Sequence, residues 1–311
     1  MTIAQPEEAA TEVPFTKIAE AMAQRVCQDS AASPMRALVA TVVAVGPPER
    51  LVDAASALQT LGDAGTVRGI LISEGTNQAP PPRVAGNTVA LHGLKPEYID
   101  NAVGALRLSS LPTVVWWRGG QPDTLDGLAR LAERVILDAD DPQRTWERAS
   151  RLFEDSAFSD MRWARLTQWR ALMAHFFDMP EVQAACTSFT RLEIHAQDRW
   201  SAALFGAWMT TAIRFGKGFS VRVTDGADDV AIEGIELGND EHQLRLQLNE
   251  RRSSIETSVS VPGHRGATRL VPLTDQALSH TLTEELRIRA RDAAFERGLR
   301  AVLAERSRAL R

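Results

Sequence analysis

From residue 37 to residue 153, unbroken apolar runs alternate with amphipathic stretches. ALVATVVAV (37–45) stops at Gly46, Pro47 and Pro48, and PERLVDAASALQTL then sets Leu51, Ala54, Ala55, Leu58 and Leu61 on one helical face. The alternation continues through VRGILIS (67–73), a loop GTNQAPPPRVAG, NTVALHG (87–93) and a helix from Pro96 to about Leu106. PTVVWW (112–117), a helix over about 124–132, RVILDA (134–139) and a helix from Pro142 to Phe153 complete it. Continuous apolar strands separated by amphipathic helices predict a mostly parallel sheet covered by helices on both faces. In such a sheet Trp116 and Trp117 point to opposite faces, and both can be covered.

Past residue 158 the periodicity changes. RWARLTQWRALMAHFFDM (162–179) and DRWSAALFGAWMTTAIRF (198–215) read as helices, the second with Asp198 as N-cap and Gly216 as its stop. TRLEIHA (190–196) between them reads as a strand. FSVRV, VAIEGIEL, QLRLQL, ETSVSVP and TRLVPL alternate apolar with polar residues between turn clusters, which predicts an antiparallel meander. The segment from Thr274, the expected cap, to residue 311 reads as C-terminal amphipathic helices. The fold class is therefore an α/β N-terminal domain followed by an α+β domain with an antiparallel meander and C-terminal helices. The boundaries are a disordered tail over 1–15, an α/β domain over 16–157 and an α+β domain over 158–311. The first helix is expected near Thr16, with Ile18, Ala19, Met22 and Val26 at helical spacing.

Composition narrows the function. The chain of 311 residues is 44% hydrophobic and 24% charged, with 35 basic and 40 acidic residues interspersed and a net charge of −5, so no basic footprint for nucleic acid exists. No apolar segment is long enough to cross a bilayer, and MTIAQPEEAATEVPF lacks the basic and apolar blocks of a signal peptide, which predicts a cytoplasmic protein away from the membrane. Cys27 and Cys186 belong to no CxxC pair.

Candidate chemistry is sparse. The six histidines lack metal-binding spacing. Asp138, Asp140 and Asp141 follow a strand, where open α/β sheets place ligands, but Asp141 before Pro142 is also an ordinary helix start. VGPPER departs from a dinucleotide fingerprint, having one glycine and two prolines that donate no N–H. Arg118, Gly119 and Gly120, at a strand exit before a helix, form the candidate anion-binding turn. No nucleophile elbow occurs. The expectation is no catalytic residue, no metal and no cofactor. Aromatic and arginine density is the positive feature: with seven tryptophans to one tyrosine, Trp116, Trp117, Arg118, Trp163, Arg165, Trp169 and Arg170 are candidate partner-binding anchors, against the alternative of tryptophans in the core.

LPTVVWWRGGQP, LAERVILDADD, WARLTQWRALMA and TLTEELRIRARDAAFERGL, in this order, resemble the glucose-6-phosphate dehydrogenase assembly proteins known as OpcA, over about residues 36–300. The resemblance implies a non-enzymatic protein that binds glucose-6-phosphate dehydrogenase and promotes its active assembly, supporting the oxidative pentose phosphate pathway. Two departures stand out. Gln168 occupies a position where the family tends to have proline, and only Cys27 and Cys186 are present to serve redox control. The alternative reading is a sugar-phosphate- or nucleotide-binding enzyme that uses the strand ends of the α/β domain.

Overall fold

The computed structural model describes residues 11–18, 20–22, 38–63, 67–75, 80–227, 230–262, 266, 268–288 and 290–309. The chain divides into two compact units, Met1–Met161 with Ala277–Arg291, and Arg162–Gln276 with Asp292–Arg311. The expected boundary at 157/158 therefore lies close to one crossover, while a later return of the chain to the first unit has no counterpart in the sequence pattern. Of the expected tail, residues 1–10 lie outside the described residues and Thr11–Glu12 forms a strand. Phe15–Lys17 is a single tight turn, with Ile18 and residues 20–22 helical after it; Ala19 and Val26 lie outside the described residues.

In chain order the first unit contains β1 (Thr11–Glu12), β2 (Ala40–Val45), α1 (Pro48–Asp63), β3 (Val67–Glu74), β4 (Arg83–Ala85) and β5 (Thr88–Leu94). α2 (Pro96–Leu106), β6 (Thr113–Trp117), α3 (Pro122–Leu131), β7 (Arg134–Leu137), α4 (Pro142–Ala149) and β8 (Ala157–Asp160) follow. The eight strands run in the order β1-β4-β5-β3-β2-β6-β7-β8, parallel from β5 to β8. β2, β6 and β7 are buried along their whole length, as parallel strands between two helical layers must be.

β4 and β8 were not expected from the sequence. β4 is a short antiparallel strand inside the proline-rich loop. β8, AFSD, is fully buried although half polar, because its polar groups are satisfied inside. Ser159 Oγ donates to Glu285 Oε2 at 2.5 Å, and Trp146 Nε1 donates to Asp160 Oδ2 at 2.8 Å. A hydropathy pattern cannot see a strand whose burial depends on hydrogen bonds from elsewhere. The preceding helix ends at Ala149 rather than Phe153.

The second unit contains α5 (Met161–Arg165, its first residue in the first unit), α6 (Thr167–Phe176), α7 (Pro180–Ala185), β9 (Arg191–Ala196), α8 (Arg199–Ala212), β10 (Ser220–Asp225), β11 (Gly234–Gly238), β12 (Gln243–Leu248), β13 (Ser254–Ser260) and β14 (Thr268–Pro272). Asp198 caps α8 by accepting from Trp200 N–H at 3.0 Å, but the helix stops at Ala212, before Gly216. β9 and β11 to β14 pair antiparallel, and Leu192, Ile194, Leu244, Leu246 and Ile255 bury one face. The segment FSVRV corrects the expected meander. β10 pairs parallel with β9, because the α8 crossover returns the chain in the same direction.

α9 (Leu278–Arg287) belongs to the first unit and α10 (Ala293–Ala309) to the second. Thr274 does not cap α9, whose N-cap is Ala277; its N–H and hydroxyl both meet Gln168 Oε1. Asp292 Oδ1 accepts from Ala294 and Phe295 N–H, both at 3.0 Å, and so begins α10.

Candidate functional site

Counted along its parallel strands, the first sheet has the order 3-2-1-4-5-6 of a doubly wound dinucleotide-binding sheet. The winding reverses between β2 and β6, and ligands of such sheets bind beyond the strand ends at that point. A cavity of about 510 Å3 lies there, among Gly46, Pro47, Trp117, Arg118, Gly119 and Gly120.

The pairing register builds this site. Val45 pairs with Trp117 and Trp117 with Leu137, so the next residues out, Gly46, Arg118 and Asp138, come side by side. The ladder extends through them: Arg118 N–H donates to Val45 O at 2.7 Å and Asp138 N–H to Trp117 O at 2.8 Å. Gly46 is needed for closeness, since a Cβ there would stand 3.0 Å from Arg118 Cβ. Arg118, 5% exposed, crosses the crevice. Its Nε donates to Asp138 Oδ2 at 2.9 Å and its Nη2 to Asp53 Oδ2 at 3.0 Å, while Nη1 reaches Asp53 Oδ1 and the Arg50 carbonyl. Arg50 in turn bonds the Asp138 carbonyl at 2.5 Å and pairs with Asp140. The Arg118 guanidinium also lies 4.8 Å over the Trp116 ring.

Burial pushes the Asp53 carboxyl up, but the Arg118 hydrogen bond and charge, the Ala54 N–H and the Arg50 charge outweigh it and hold the group below the usual carboxylate range. Three carboxylates and two guanidiniums thus satisfy one another where a dinucleotide's phosphates would lie in a sheet of this order. The first βα turn, Gly46-Pro47-Pro48, removes two N–H donors from the same place.

The expected sites can now be placed. At the anion-binding turn the Arg118 charge is taken by Asp53 and Asp138, and the Gln121 N–H donates to both Glu74 carboxylate oxygens at 3.0 Å. Gly119 and Gly120 adopt φ of 141° and 137°, and a Cβ on Gly120 would meet Glu74 Oε1 at 2.7 Å. A carboxylate of this chain therefore occupies the turn. Asp141 accepts from Arg144 N–H at 3.3 Å as the N-cap of α4. Arg50, Asp53 and Glu74 went unnoticed in the sequence; the available signal was that strands ending WWR and ILD, once in register, juxtapose an arginine and an aspartate.

The tryptophans expected as partner anchors are buried. Trp116 sits in a core cluster with Ala44, Ile136, Met161 and Leu282, and Trp117 is 2% exposed on the opposite face, against the crevice. In the second unit Trp163 donates to Asp292 Oδ2 at 2.6 Å and carries Arg170 3.6 Å above its ring. Trp169 is also buried but lines, with Arg165, a second cavity of about 310 Å3. His92, His175, His195 and His242 hydrogen-bond Ser73, Asp178, Thr224 and Asn239. Cys186 is a free, half-buried thiol, and Cys27 lies outside the described residues.

Residues 28–152 match the family model described as the glucose-6-phosphate dehydrogenase subunit N-terminal domain, and residues 156–299 match that of the C-terminal domain. The chain belongs to the OpcA family of glucose-6-phosphate dehydrogenase assembly proteins. The division between the two OpcA domains falls in the turn before β8. No curated protein matches the chain. Among solved structures it is similar to a levoglucosan dehydrogenase in complex with NADH and L-sorbose, at 10% identity, covering 88% of this chain and 98% of that one with a TM-score of 0.48. An aldose-aldose oxidoreductase from Caulobacter crescentus complexed with glycerol gives 11% identity, 88% and 99% coverage and a TM-score of 0.48. A super-repressor mutant of Gal80p from Saccharomyces cerevisiae gives 8% identity, 80% and 83% coverage and a TM-score of 0.43. No helix among the described residues is long and apolar enough to cross a membrane.

Proposed function

We propose that this chain is a non-catalytic assembly factor and allosteric activator of glucose-6-phosphate dehydrogenase, acting in the cytoplasm to support the oxidative pentose phosphate pathway. The two OpcA domains, which together span residues 28–299, carry the reading. The charge balance of the crevice supports it: Arg118, at the point where the sheet order would place a dinucleotide's phosphates, is neutralised by Asp53 and Asp138 of the chain itself. Activation in this reading is a population shift. The chain binds the active arrangement of the enzyme more tightly than the inactive one, and a coupling of about 1–3 kcal/mol gives about five- to 150-fold tighter binding of whatever ligand the active state prefers. Contact falls to the half-buried Arg165 and the reachable edge of Trp169. Trp116, Trp117 and Trp163 are buried inside their units, and Arg118 and Arg170 are engaged by their own neighbours.

The test is co-purification with the dehydrogenase, followed by kinetics over a range of glucose 6-phosphate with and without the chain. A lower KM or a shift to the higher oligomer is expected in its presence. Turnover of glucose 6-phosphate and NADP by the chain alone would transfer the case to the rival reading, an enzyme working at the 510 Å3 cavity.

A further inference from the structure

The cavity beside Trp169 has a composition unlike that of the crevice. Leu166 and Trp169, on and just before α6, form one wall; Val230 and Ile232, preceding β11, form another, with Leu248 and Leu273 closing it. Its polar lining is Arg165, Ser201 and Gln276, with no carboxylate among them. Ser201 is committed, since its Oγ donates to Asp198 Oδ2 at 2.7 Å. Gln276 spends its amide N–H groups on Thr274, at 3.3 Å to both the carbonyl and the hydroxyl, which leaves its Oε1 as an acceptor.

The three arginines of this segment differ in their partners. Arg162 pairs with Asp198 at 3.1 Å, and Arg170 stacks on Trp163 and donates to Thr167 Oγ1 at 3.1 Å. Arg165 has neither a hydrogen bond nor an ion pair among the described residues, and it is half-buried against the apolar wall. At the rim of this apolar wall the Arg165 guanidinium is a positive charge with no carboxylate opposite it among the described residues, and an incoming carboxylate would complement it. Size narrows the occupant further. About 310 Å3 is the lower limit for pockets that enclose a whole metabolite, and it is ample for one large side chain. A pocket that desolvates an apolar group beside an arginine anchor is also the arrangement that concentrates binding energy in protein interfaces.

We propose that this cavity is a docking socket for the dehydrogenase, taking one large apolar side chain whose neighbouring carboxylate pairs with Arg165. The proposal rests on the assembly reading above and adds to it the chemistry of the partner's contact segment: an apolar residue next to an acidic one, with a backbone N–H available to Gln276 Oε1.

The test measures the dissociation constant of the full chain and its dehydrogenase by calorimetry, for wild type, Arg165→Glu, Arg165→Lys, Arg165→Ala and Ala231→Trp. Ala231 is exposed at the cavity, so a tryptophan there fills the socket without entering the core. Charge reversal is expected to weaken association about thirtyfold or more, the size of an interface anchor, and Ala231→Trp about tenfold or more. Arg165→Lys keeps the charge, loses the bidentate fork and is expected to fall between wild type and Arg165→Glu. Raising ionic strength from about 0.05 to about 0.5 M weakens the wild type more than Arg165→Ala. Melting temperatures identify any variant that fails to fold, and the lysine variant and the salt dependence still decide the matter. Wild-type affinity in all variants, with no loss of salt dependence, would overturn the socket while leaving the assembly reading intact. Failure of the wild-type chain to associate at all would overturn the assembly reading itself. Octanoate, an apolar carboxylate, gives the remaining arm: Arg165-dependent binding that competes with the dehydrogenase supports the socket, and binding without competition makes the cavity a small-molecule site instead.

Discussion

Truncating Arg118 removes the nearer of two counter-charges of Asp138, whose side chain is 10% exposed, and leaves Arg50 at 3.4 Å. Arg118→Ala is expected to destabilise the first unit by about 2–3 kcal/mol, less than the loss that leaves a buried charge wholly unpaired, measured by urea unfolding at neutral pH. The pH dependence follows from the sign of the Asp53 shift. A folded-state carboxyl held below its unfolded value adds stability that is present above about pH 4 and is lost as pH falls through the lower folded value. Wild type and Arg118→Ala should therefore differ less in stability at pH 3 than at pH 7, approximately; a gap that widens on acidification would contradict the assignment. Gly120 makes a separate demand. Its positive φ and the 2.7 Å approach to Glu74 predict that Gly120→Ala costs about 1–3 kcal/mol, while the exposed Ala231 tolerates replacement. Much of this site was hidden in the sequence. Arg118 and its two glycines were visible as a strand exit, but the partners that define their role are 65 and 20 residues away, and only the strand register brings them together.

Elements show the same division between pattern and context. β2, β6 and β7 were legible because they are nearly continuous apolar runs, and the helices because their faces repeat; β8 was not, since Ser159 and Asp160 are buried by virtue of Glu285 and Trp146. Likewise β10 carries the alternation of an antiparallel strand, but its direction is fixed by the crossover through α8, which no local pattern encodes. Gln168, where the family tends to proline, acquires a purpose at this scale. Its side chain donates to Pro272 O at 2.7 Å and accepts from Thr274, tying the start of α6 to the segment after β14. Gln168→Pro is compatible with the first turn of a helix but gives up those bonds. The expected result is an intact helix by circular dichroism, a stability loss of about 0.5–1.5 kcal/mol, and faster amide exchange at Thr274, where the bond is broken.

At the scale of the molecule, chain order and compact unit do not coincide. α9 is separated along the chain from the first sheet by Arg162–Gln276 of the second unit, but Leu282 lies in the first unit's core with Trp116 and Ile136, and Leu278 and Leu286 pack against it. The joint is also ionic. Glu285 Oε2 accepts from Arg134 Nη2 at 2.7 Å and from Ser159 Oγ, with both charged side chains about 5% exposed or less. Neither group can be left alone at that burial, so the first sheet is complete only once residues 277–291 have been made and returned to it. A chain cut after Met161 should expose the apolar patch that α9 covers, along with the Arg134 charge. It is expected to bind a hydrophobic dye and to unfold without a sharp transition, whereas the same piece carrying residues 277–291 on a flexible linker unfolds cooperatively. Glu285→Ala in the full chain isolates the ionic part, with an expected cost of about 3–5 kcal/mol, and Glu285→Gln, which keeps one acceptor, costs less. Cooperative unfolding of the 1–161 piece alone would mean that the return of α9 is an addition to a finished domain; its collapse and rescue would mean that the first unit cannot form until most of the second has been synthesised.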